Sequence, residues 1–440
     1  MAVSIFNKFN CLYSTLTSVA MQRQATHNKS RMAGNKWGER KQLLIDVSVI
    51  AQSDGRTGIQ RVVRNIYLQL LKNPPPNFTI SPVIATRKNS YHYLPNNFLD
   101  VSEIEPKKSV NGKAVRVHSG DIFLGLDLAA HIIPHRICDL AKWRKQGVHM
   151  FFFVYDLLPL LEPSWFNSKT ARNFRKWLRA LAILADETIC ISNTVSKDLE
   201  LWMQSQYGLR KSDIGYSIIS LGANIQLTLP KTCGTESDSW LPPLGERTSL
   251  LIVGTIEPRK GHSDVLDAFE QLWILGVNAN LVIAGKPGWK VDSLISRIRN
   301  HPELGKRLHW LNSPTDDVLF RVYKKINGLI MASKGEGFGL PLVEASAMNK
   351  PVLVRDIPIF REIAGQTATY FKGNSLVEDL HNWIKDIDSG KLIVQENPLC
   401  ITWDESCKQL LKILSHAIDN ENLQGHHRTY KSSPKFRSNQ

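Results

Sequence analysis

The chain has 440 residues, of which 42% are hydrophobic and 22% charged, and its formal net charge is +15. This length gives room for two or three domains that each bury a core. No run reaches the roughly 18 apolar residues that a membrane-spanning helix needs. The six cysteines form no CxxC pair, which argues against a zinc or disulfide framework and is typical of a reducing cytosol.

The two ends differ in composition from the rest of the chain. Residues 1–40 contain one acidic side chain and are rich in Ser, Thr and Asn, so we expect a disordered basic extension. A transit-like segment has this composition. A segment translated from an upstream start codon assigned in error would have it too, if Met21 or Met32 were the true start. Residues 421–440 are polar and basic and are expected to be a disordered tail. These two ends carry more than half of the net charge.

In the first half of the chain, apolar β-prone runs alternate with segments of helical periodicity. Strands are predicted at Leu43–Val47, Asp121–Gly125, Val148–Tyr155 and Glu187–Ser192. Helices are predicted at Ile59–Lys72, His135–Gln146 and Ser168–Ala185. We assign residues 41–235 to an N-terminal domain.

The segment Pro230–Gly245 is rich in turn residues and is predicted to be a linker. Beyond it, strands are predicted at Leu250–Val253, Asn280–Ala284, Leu308–Leu311, Gly328–Ala332 and Pro351–Arg355. We assign residues 246–400 to a C-terminal domain and 401–420 to a last helix. Alternating strand–helix units on both sides of a linker predict an α/β protein with two doubly wound parallel sheets.

The most informative stretch is the glycine-rich turn and helix start at 335–346. The apolar strand Gly328–Ser333 runs into it, and Pro341 suits the first position of the helix that follows. Backbone amides of such a turn at a helix N-terminus bind anions. Glu336 lies in the turn and Glu344 about one turn inside the helix. Amides for phosphate and carboxylates for hydroxyls suit a phosphorylated sugar.

A second turn supports the interpretation of the first as an anion-binding site. Alone, the first turn would be an ordinary strand-to-helix connection. The strand Leu250–Val253 leads into Gly254, and Arg259 and Lys260 follow. Arginine offers a forked, two-point contact and lysine a point charge. Opposite the glycine-rich turn, these two cations would neutralise a diphosphate.

Together the two turns resemble the donor site of glycosyltransferase family 4. Glu336 and Glu344 match the Glu-x7-Glu motif of that family. Further stretches agree with it in order along the chain: Thr57–Arg61, Tyr155–Pro159, Ser220–Asn224, Gly285–Trp289 and Arg355–Pro358. The resemblance extends from about Leu43 to Leu414 and implies the GT-B fold, in which two Rossmann-like domains face a cleft. It also implies that the last helix, at 401–420, crosses back onto the first domain.

The resemblance implies an activity and a donor site. The family transfers a sugar from a nucleotide sugar with retention of anomeric configuration, and its C-terminal domain binds the donor. Breaking the glycosidic bond leaves charge on the diphosphate, which Arg259 and Lys260 would stabilise as catalytic residues. Glu336 is expected to touch the donor sugar and act with them, and Glu344 is expected to bind the ribose hydroxyls. Further donor contacts are expected from Gly254, Phe338, Gly339 and Leu340.

The N-terminal domain is expected to face the acceptor and to complete the site. Gly58 ends the first strand-to-helix turn, so it can approach the diphosphate. Tyr155 precedes Asp156 at a position where many relatives have a histidine that contacts the donor sugar. Tyrosine can form a hydrogen bond there but cannot act as an imidazole base, which fits a mechanism in which the leaving phosphate takes the acceptor proton. Asn224 stands where many relatives have aspartate.

Two further features bear on the chemistry. Arg61 is either a second phosphate contact or a solvated charge on its helix. Asp386 and Asp388 match the Asp-x-Asp motif that binds a metal ion in the other fold class for sugar transfer. They fall in a late, helical surface stretch, so we interpret the match as incidental. Because Arg259 and Lys260 would replace a metal ion, we expect neither a metal nor a cofactor.

The helix predicted at 168–185 has two interpretations. Its cations lie beside large apolar side chains, at Lys169, Arg172, Arg175, Lys176 and Arg179. It is either a basic amphipathic helix that lies on an anionic membrane or a packed helix with a solvated basic face. Acceptors of the family are often lipid-linked saccharides, which favours the membrane.

We therefore expect a cytoplasmic hexosyltransferase, peripheral at the inner face of the membrane, that builds a surface polysaccharide such as lipopolysaccharide. By resemblance to mannosyltransferases the first candidate donor is GDP-mannose, and UDP-glucose, UDP-N-acetylglucosamine and dTDP-rhamnose remain open. The acceptor would be a saccharide or a polyprenyl-linked saccharide. The rivals are a non-catalytic sugar-nucleotide binder and a basic nucleic-acid-binding protein, for which the sequence has no zinc-finger, RRM or KH signature. We expect no nucleic-acid partner.

Overall fold

The computed structural model describes residues 19–24, 40–100, 112–223, 242, 244, 247–373, 375–392 and 400–428. Asn224 and most of the predicted extension, linker and tail lie outside these residues. The described part contains two separate sheets that follow each other along the chain. The prediction of two doubly wound domains in the GT-B arrangement is confirmed.

The first sheet has seven strands. They are β1 Lys41–Asp46, β2 Phe78–Ile84, β3 His92–Tyr93, β4 Ile122–Gly125, β5 His149–Val154, β6 Glu187–Cys190 and β7 Gly215–Ile218. Their order is β3-β2-β1-β4-β5-β6-β7, and all neighbours are parallel except β2 and β3. The α-helices between them are α1 Gly58–Lys72, α2 Ile137–Lys145, α3 Leu158–Leu161, α4 Ser168–Leu184 and α5 Asn193–Tyr207. Because the strand order reverses between β1 and β4, the loops after these strands border a crevice.

The second sheet has six strands. They are β8 Thr248–Val253, β9 Ala279–Ala284, β10 Leu308–Leu311, β11 Gly328–Met331, β12 Val352–Arg355 and β13 Thr369–Phe371. They run parallel in the order β10-β9-β8-β11-β12-β13. The helices are α6 His262–Ile274, α7 Asp292–Arg299, α8 Asp316–Lys325, α9 Leu340–Ala347, α10 Pro358–Ala364 and α11 Leu376–Asp388. Every residue of β9 is buried, as expected for a parallel sheet covered on both faces.

The last helix, α12 at Trp403–Arg428, packs back onto the first domain, as the resemblance implied. Just before it, the Ala223 amide donates to the Ile401 carbonyl at 2.9 Å, and Gly222 permits the approach because an added Cβ would lie 2.4 Å from the Trp403 nitrogen. The helix continues eight residues into the segment predicted as a disordered tail. No proline interrupts this helix before Pro434.

Six residues of the extension that was predicted to be disordered are described by the structure. Residues 19–24 form a short helical segment against the first domain. Val19 is fully buried, and the guanidinium of Arg23 donates to the Ala182 carbonyl on α4 at 2.9 Å. Two contacts hold this segment against the first domain: the buried side chain of Val19 and the hydrogen bond of Arg23 to a backbone carbonyl. The overall composition of the segment is nevertheless typical of disorder.

The structure shows which side of the basic helix is exposed. The apolar face of α4 is buried in the core, including Phe174, Trp177, Leu178 and Leu181. The apolar side is therefore not available to a lipid bilayer, and only the basic side is exposed. Among the described residues no helix has the length and hydropathy to cross a membrane.

Candidate active site

A cavity of about 580 Å³ lies between the two domains and takes its walls from both. It is bordered by the loops after β1, β5, β8 and β11, at the carboxyl ends of these strands, where ligands of doubly wound sheets bind. Most of the site residues predicted from the sequence line it: Gly58, Tyr155, Asp156, Gly254, Arg259, Lys260, Glu336, Phe338, Gly339 and Leu340. Glu344 does not line it, and Asn224 lies outside the described residues.

The glycine-rich turn joins β11 to α9 and lies against the other domain. Gly339, at the N-terminus of α9, has φ of +105°, which glycine adopts without strain. An added Cβ at Gly337 would lie 1.9 Å from the carbonyl oxygen of Tyr155. The hydroxyl of Ser192 donates to the Gly337 carbonyl at 2.9 Å. The turn residues Phe338, Gly339 and Leu340 line the cavity, and both domains hold this turn.

The turn after β8 brings its cations to the same place. Gly254 has φ of +134° and Gly261 has φ of +73°, and the 3₁₀ turn Pro258–Lys260 lies between them. The Lys334 amide donates to the Arg259 carbonyl at 2.7 Å, which joins the two turns directly.

Arg259, Lys260 and Glu336 form one ion cluster on the cavity wall. The ammonium of Lys260 contacts Glu336 Oε1, while Arg259 Nη1 lies 3.1 Å from Glu336 Oε2 and donates to the Gly335 carbonyl at 2.8 Å. The Ser333 hydroxyl donates to Glu336 Oε1 at 2.7 Å. Burial opposes ionisation of Glu336, but the charges of Lys260 and Arg259 outweigh it and lower the pKa of its carboxyl to about 2.

Further carboxylates adjoin this cluster. Arg259 Nε lies 2.7 Å from Glu257 Oε1. Burial raises the pKa of Asp156, and the nearby charge of Arg259 opposes that rise. Asp156 also accepts a hydrogen bond from the Leu158 amide at 3.0 Å, which fixes its orientation at the start of α3. The cluster is thus a set of cations balanced by acids, and phosphate oxygens can compete for those cations.

Tyr155 contributes to the cavity in another way than the sequence predicted. Its hydroxyl donates to the Leu126 carbonyl at 2.6 Å, and its side chain is buried. Burial also raises the pKa of the phenol well above its ordinary value. The phenol is therefore bonded within its own domain. Tyr155 contacts the site through its carbonyl oxygen, which lies against Gly337.

Glu344 is buried on α9 and forms an ion pair with the other domain. Arg61, on α1, contacts Glu344 Oε1 and lies 2.6 Å from Asp316 Oδ1. The Tyr323 hydroxyl donates to Glu344 Oε2 at 3.1 Å. Arg61 lines the cavity and Glu344 does not, so the arginine stands between the cavity and the carboxylate predicted to bind ribose. Arg61 is paired with acids rather than free in solvent, and its interpretation as a solvated helix charge was wrong.

The N-terminus of α1 is held beside the donor domain. Thr57 caps the helix and forms a reciprocal capping box with Gln60. Lys286, in the loop after β9, donates from its ammonium to the Gly55 carbonyl at 2.6 Å. An added Cβ at Gly58 would lie 3.8 Å from Leu340, so this turn approaches the start of α9 across the cleft.

Among the side chains that line the cavity and that sequence reasoning did not single out are His131 and Lys286. His131 follows β4, and the rule that ligands bind beyond the carboxyl ends of parallel strands could have pointed to it. Burial and the charges of Arg87 and Lys169 lower the pKa of His131, so its imidazole is neutral near pH 7. Lys286 belongs to a stretch recognised only as part of the family resemblance.

The possible metal motif lies away from the cavity. Asp386 and Asp388 are on α11, and Asp388 accepts a hydrogen bond from the Thr248 hydroxyl. Within the described ranges no three His, Cys, Asp or Glu side chains come together as a metal site would require.

Residues 238–392 match the family model described as glycosyl transferases group 1. The serotype-specific mannosyltransferase WbdA of Escherichia coli is 38% identical over 380 residues, which cover 85% of this chain and 46% of WbdA. The chain thus spans less than half the length of WbdA. The O-antigen chain mannosyltransferase RfbU of Salmonella typhimurium is 31% identical over 121 residues, 27% of this chain and 33% of RfbU.

Solved structures share the fold. Anabaena HepE in complex with UDP-glucose has a TM-score of 0.56 at 14% identity, and the match covers 87% of this chain and 99% of HepE. WaaG, a glycosyltransferase involved in lipopolysaccharide biosynthesis, has a TM-score of 0.50 at 15% identity, with 86% and 99% covered. The resemblance inferred from the motifs is confirmed: the chain carries a group 1 glycosyltransferase domain within a GT-B fold.

Proposed function

We propose that this protein is a retaining, metal-independent hexosyltransferase, which moves mannose from GDP-mannose to a saccharide acceptor during synthesis of a surface polysaccharide. The observation that carries the proposal is the cluster of Arg259, Lys260 and Glu336 beside the N-terminus of α9, inside a cavity that both domains border. Cations and helix amides in one partly buried place suit the diphosphate of a nucleotide sugar.

The chemistry follows from where charge develops. The bond between the anomeric carbon and the β-phosphate oxygen breaks, and a bond from that carbon to the acceptor oxygen forms on the same face. Arg259, Lys260 and the amides near Leu340 stabilise the charge left on the leaving diphosphate. These cations supply the positive charge that a metal ion would supply in a metal-dependent glycosyltransferase. Glu336 holds Lys260 and Arg259 in place before the donor arrives.

The acceptor proton passes to the leaving phosphate oxygen. Tyr155 is not the base, because its hydroxyl already donates to the Leu126 carbonyl and its pKa lies well above the ordinary value. Lys286 and the capped N-terminus of α1 approach the diphosphate from the opposite side of the cleft.

Mannose is the first candidate sugar because WbdA and RfbU, two of the relatives that match this chain, are named mannosyltransferases. The acceptor is a saccharide, free or polyprenyl-linked, of the kind from which O-antigen or lipopolysaccharide is built. The exposed basic side of α4 has no acidic residue on its own helix, which favours electrostatic contact with anionic lipids. The protein would then work at the cytoplasmic face of the membrane.

A donor panel tests the proposal. Purified protein is incubated with GDP-mannose, UDP-glucose, UDP-N-acetylglucosamine or dTDP-rhamnose and a manno-oligosaccharide, with and without EDTA. Transfer from GDP-mannose at the same rate in EDTA, with an α-linked product by NMR, is the expected result. A metal requirement or an inverted product would overturn the mechanism.

The same panel separates the rivals. Thermal stabilisation by nucleotide sugars without any transfer or sugar release would leave a non-catalytic binder. Stabilisation by oligonucleotides and not by nucleotide sugars would indicate a nucleic-acid-binding protein. The presence of Arg259, Lys260 and Glu336 in one cluster argues against both of these rival functions.

A further inference from the structure

A second groove adjoins the candidate active site. It has a volume of about 480 Å³ and lies over the first turns of α4. Phe166 and Asn167 border both this groove and the main cavity. These two residues therefore lie between the main cavity and the groove, on the surface of the N-terminal domain.

The junction between cavity and groove is fixed by contacts between the domains. The indole N–H of Trp289, in the loop after β9, donates to the Trp165 carbonyl at 2.6 Å. The neighbouring Lys290 donates from its ammonium to the Ser164 carbonyl at 2.8 Å. The rings of Phe166 and Trp289 lie with their centroids 5.8 Å apart at an interplanar angle of 31°. The donor domain thus holds the segment before α4 in place and builds part of the groove.

The groove offers cations and no carboxylate. Arg172 and Arg175 on α4 and Lys290 from the other domain line it, and no acidic residue does. Both arginine side chains are free of ion pairs and hydrogen bonds to the described part of the chain, so their donors have unused capacity. Phe166 and Trp289 are each only partly buried.

These features fit an elongated polar ligand better than a compact one. Guanidinium and ammonium groups donate hydrogen bonds to hydroxyl oxygens, and partly exposed aromatic rings accept the apolar C–H surface of a sugar ring. The main cavity is within the size range of a site for one small ligand, and the donor with the reacting acceptor unit would fill it. A longer acceptor then needs a path out.

We propose that this groove, lined by Phe166, Asn167, Arg172, Arg175 and Lys290, is an acceptor subsite that binds the saccharide units beyond the one that reacts. The inference deepens the proposed function, on which it rests, by naming where an oligosaccharide acceptor lies. Lys290 comes from the donor domain, so the subsite is complete only when the two domains are together. The subsite sets a preference for acceptors of several sugar units.

The test compares acceptors of different length. Arg172→Ala, Arg175→Ala and the double variant are assayed with soluble manno-oligosaccharides of one, three and five units at saturating donor. The control is Arg210→Ala, an exposed arginine of the same domain that lines neither opening. Loss of one charged hydrogen bond should raise KM for the pentasaccharide about tenfold. KM for the monosaccharide and for the donor should stay unchanged, as should every value for the control.

Several outcomes would overturn the proposal. KM values that rise equally for all acceptor lengths, or for none, would show that the groove does not bind the distal units. Contact of the basic side of α4 with lipid does not by itself conflict with the subsite, but loss of binding to vesicles containing phosphatidylglycerol with unchanged length dependence would show that Arg172 and Arg175 serve lipid headgroups alone. If wild-type protein neither binds nor uses any nucleotide sugar, the proposed function itself fails, which is distinguishable because length dependence is read only from an active enzyme.

Discussion

The guanidinium of Arg61, on the first helix of the N-terminal domain, is paired with the buried carboxylate of Glu344 on the other side of the cleft. The same arginine holds Asp316, and Tyr323 occupies the second oxygen of Glu344. The carboxylate that the family motif assigns to ribose is therefore occupied by protein groups from both domains. A donor that uses Glu344 must first displace Arg61.

This pair predicts that Arg61 opposes donor binding. Breaking a buried ion pair is costly, and Arg61→Met removes that cost while keeping most of the side-chain volume. The dissociation constant of GDP, measured by calorimetry, should fall about tenfold, which corresponds to about 1.4 kcal/mol. The gain should be smaller for 2′-deoxyguanosine diphosphate, which has one ribose hydroxyl fewer. Arg64→Met, one turn further along α1, where the arginine pairs with Asp54, is the control. Weaker binding of GDP to Arg61→Met would instead identify Arg61 as a phosphate contact.

The ion cluster predicts how stability depends on pH. The pKa of Glu336 lies at about 2, below its ordinary value of 4.5. A carboxylate with a lowered pKa stabilises the folded state above its unfolded pKa, and this contribution is lost as the pH falls through the folded value. The difference in free energy of unfolding between wild type and Glu336→Gln, from urea titrations, should be constant from pH 8 to 5 and shrink from about pH 4.5 downward. A difference that changes between pH 8 and 5 would contradict this assignment.

His131 is predicted to contact the acceptor. It lines the cavity on the N-terminal side and is neutral near pH 7, since burial and two nearby cations lower its pKa. His131→Ala should raise KM for the acceptor several-fold and leave KM for the donor unchanged in initial-rate assays. His135→Ala, an exposed histidine four residues further on, is the matched control. An effect confined to the donor KM would show that His131 contacts the donor and not the acceptor.

Gly337 is predicted to tie the glycine-rich turn to the N-terminal domain. Alanine at this position would meet the Tyr155 carbonyl, because its Cβ would lie 1.9 Å away. We expect Gly337→Ala to destabilise the protein by about 1–3 kcal/mol and to raise KM for the donor, as measured by thermal unfolding and kinetics. Ser192→Ala, which removes the hydrogen bond to the Gly337 carbonyl and also the side-chain cap of α5, should destabilise the protein by about 1 kcal/mol and raise the donor KM less than Gly337→Ala does. Equal effects of the two variants would count against a steric role for Gly337.

The fold could be read from the sequence because its strands are buried on both faces and alternate with helices. The strand β2 was missed since Pro82 lies inside it and proline in a strand argues against a central position. Helix α5 was missed although Ser192 caps it, because its apolar pattern is weak. These misses left the overall architecture unchanged.

The candidate site was only partly predictable, for a physical reason. The turns that carry Arg259, Lys260 and Glu336 are local, and their glycine and proline spacing shows where they lie. The direction of the Tyr155 side chain and the pairing of Arg61 with Glu344 depend on how two domains pack. Such contacts join residues 283 positions apart, and no local periodicity reports on them.

The central claim is that the cations of the cluster stabilise the leaving diphosphate without a metal ion. The most direct test is kcat for transfer from GDP-mannose by Lys260→Ala, measured beside wild type in the presence of EDTA. The account predicts full wild-type activity in EDTA and a loss of at least about 100-fold in the variant, because transition-state charge loses a fixed partner. Near-normal turnover by Lys260→Ala, or a wild-type enzyme that stops in EDTA, would contradict it.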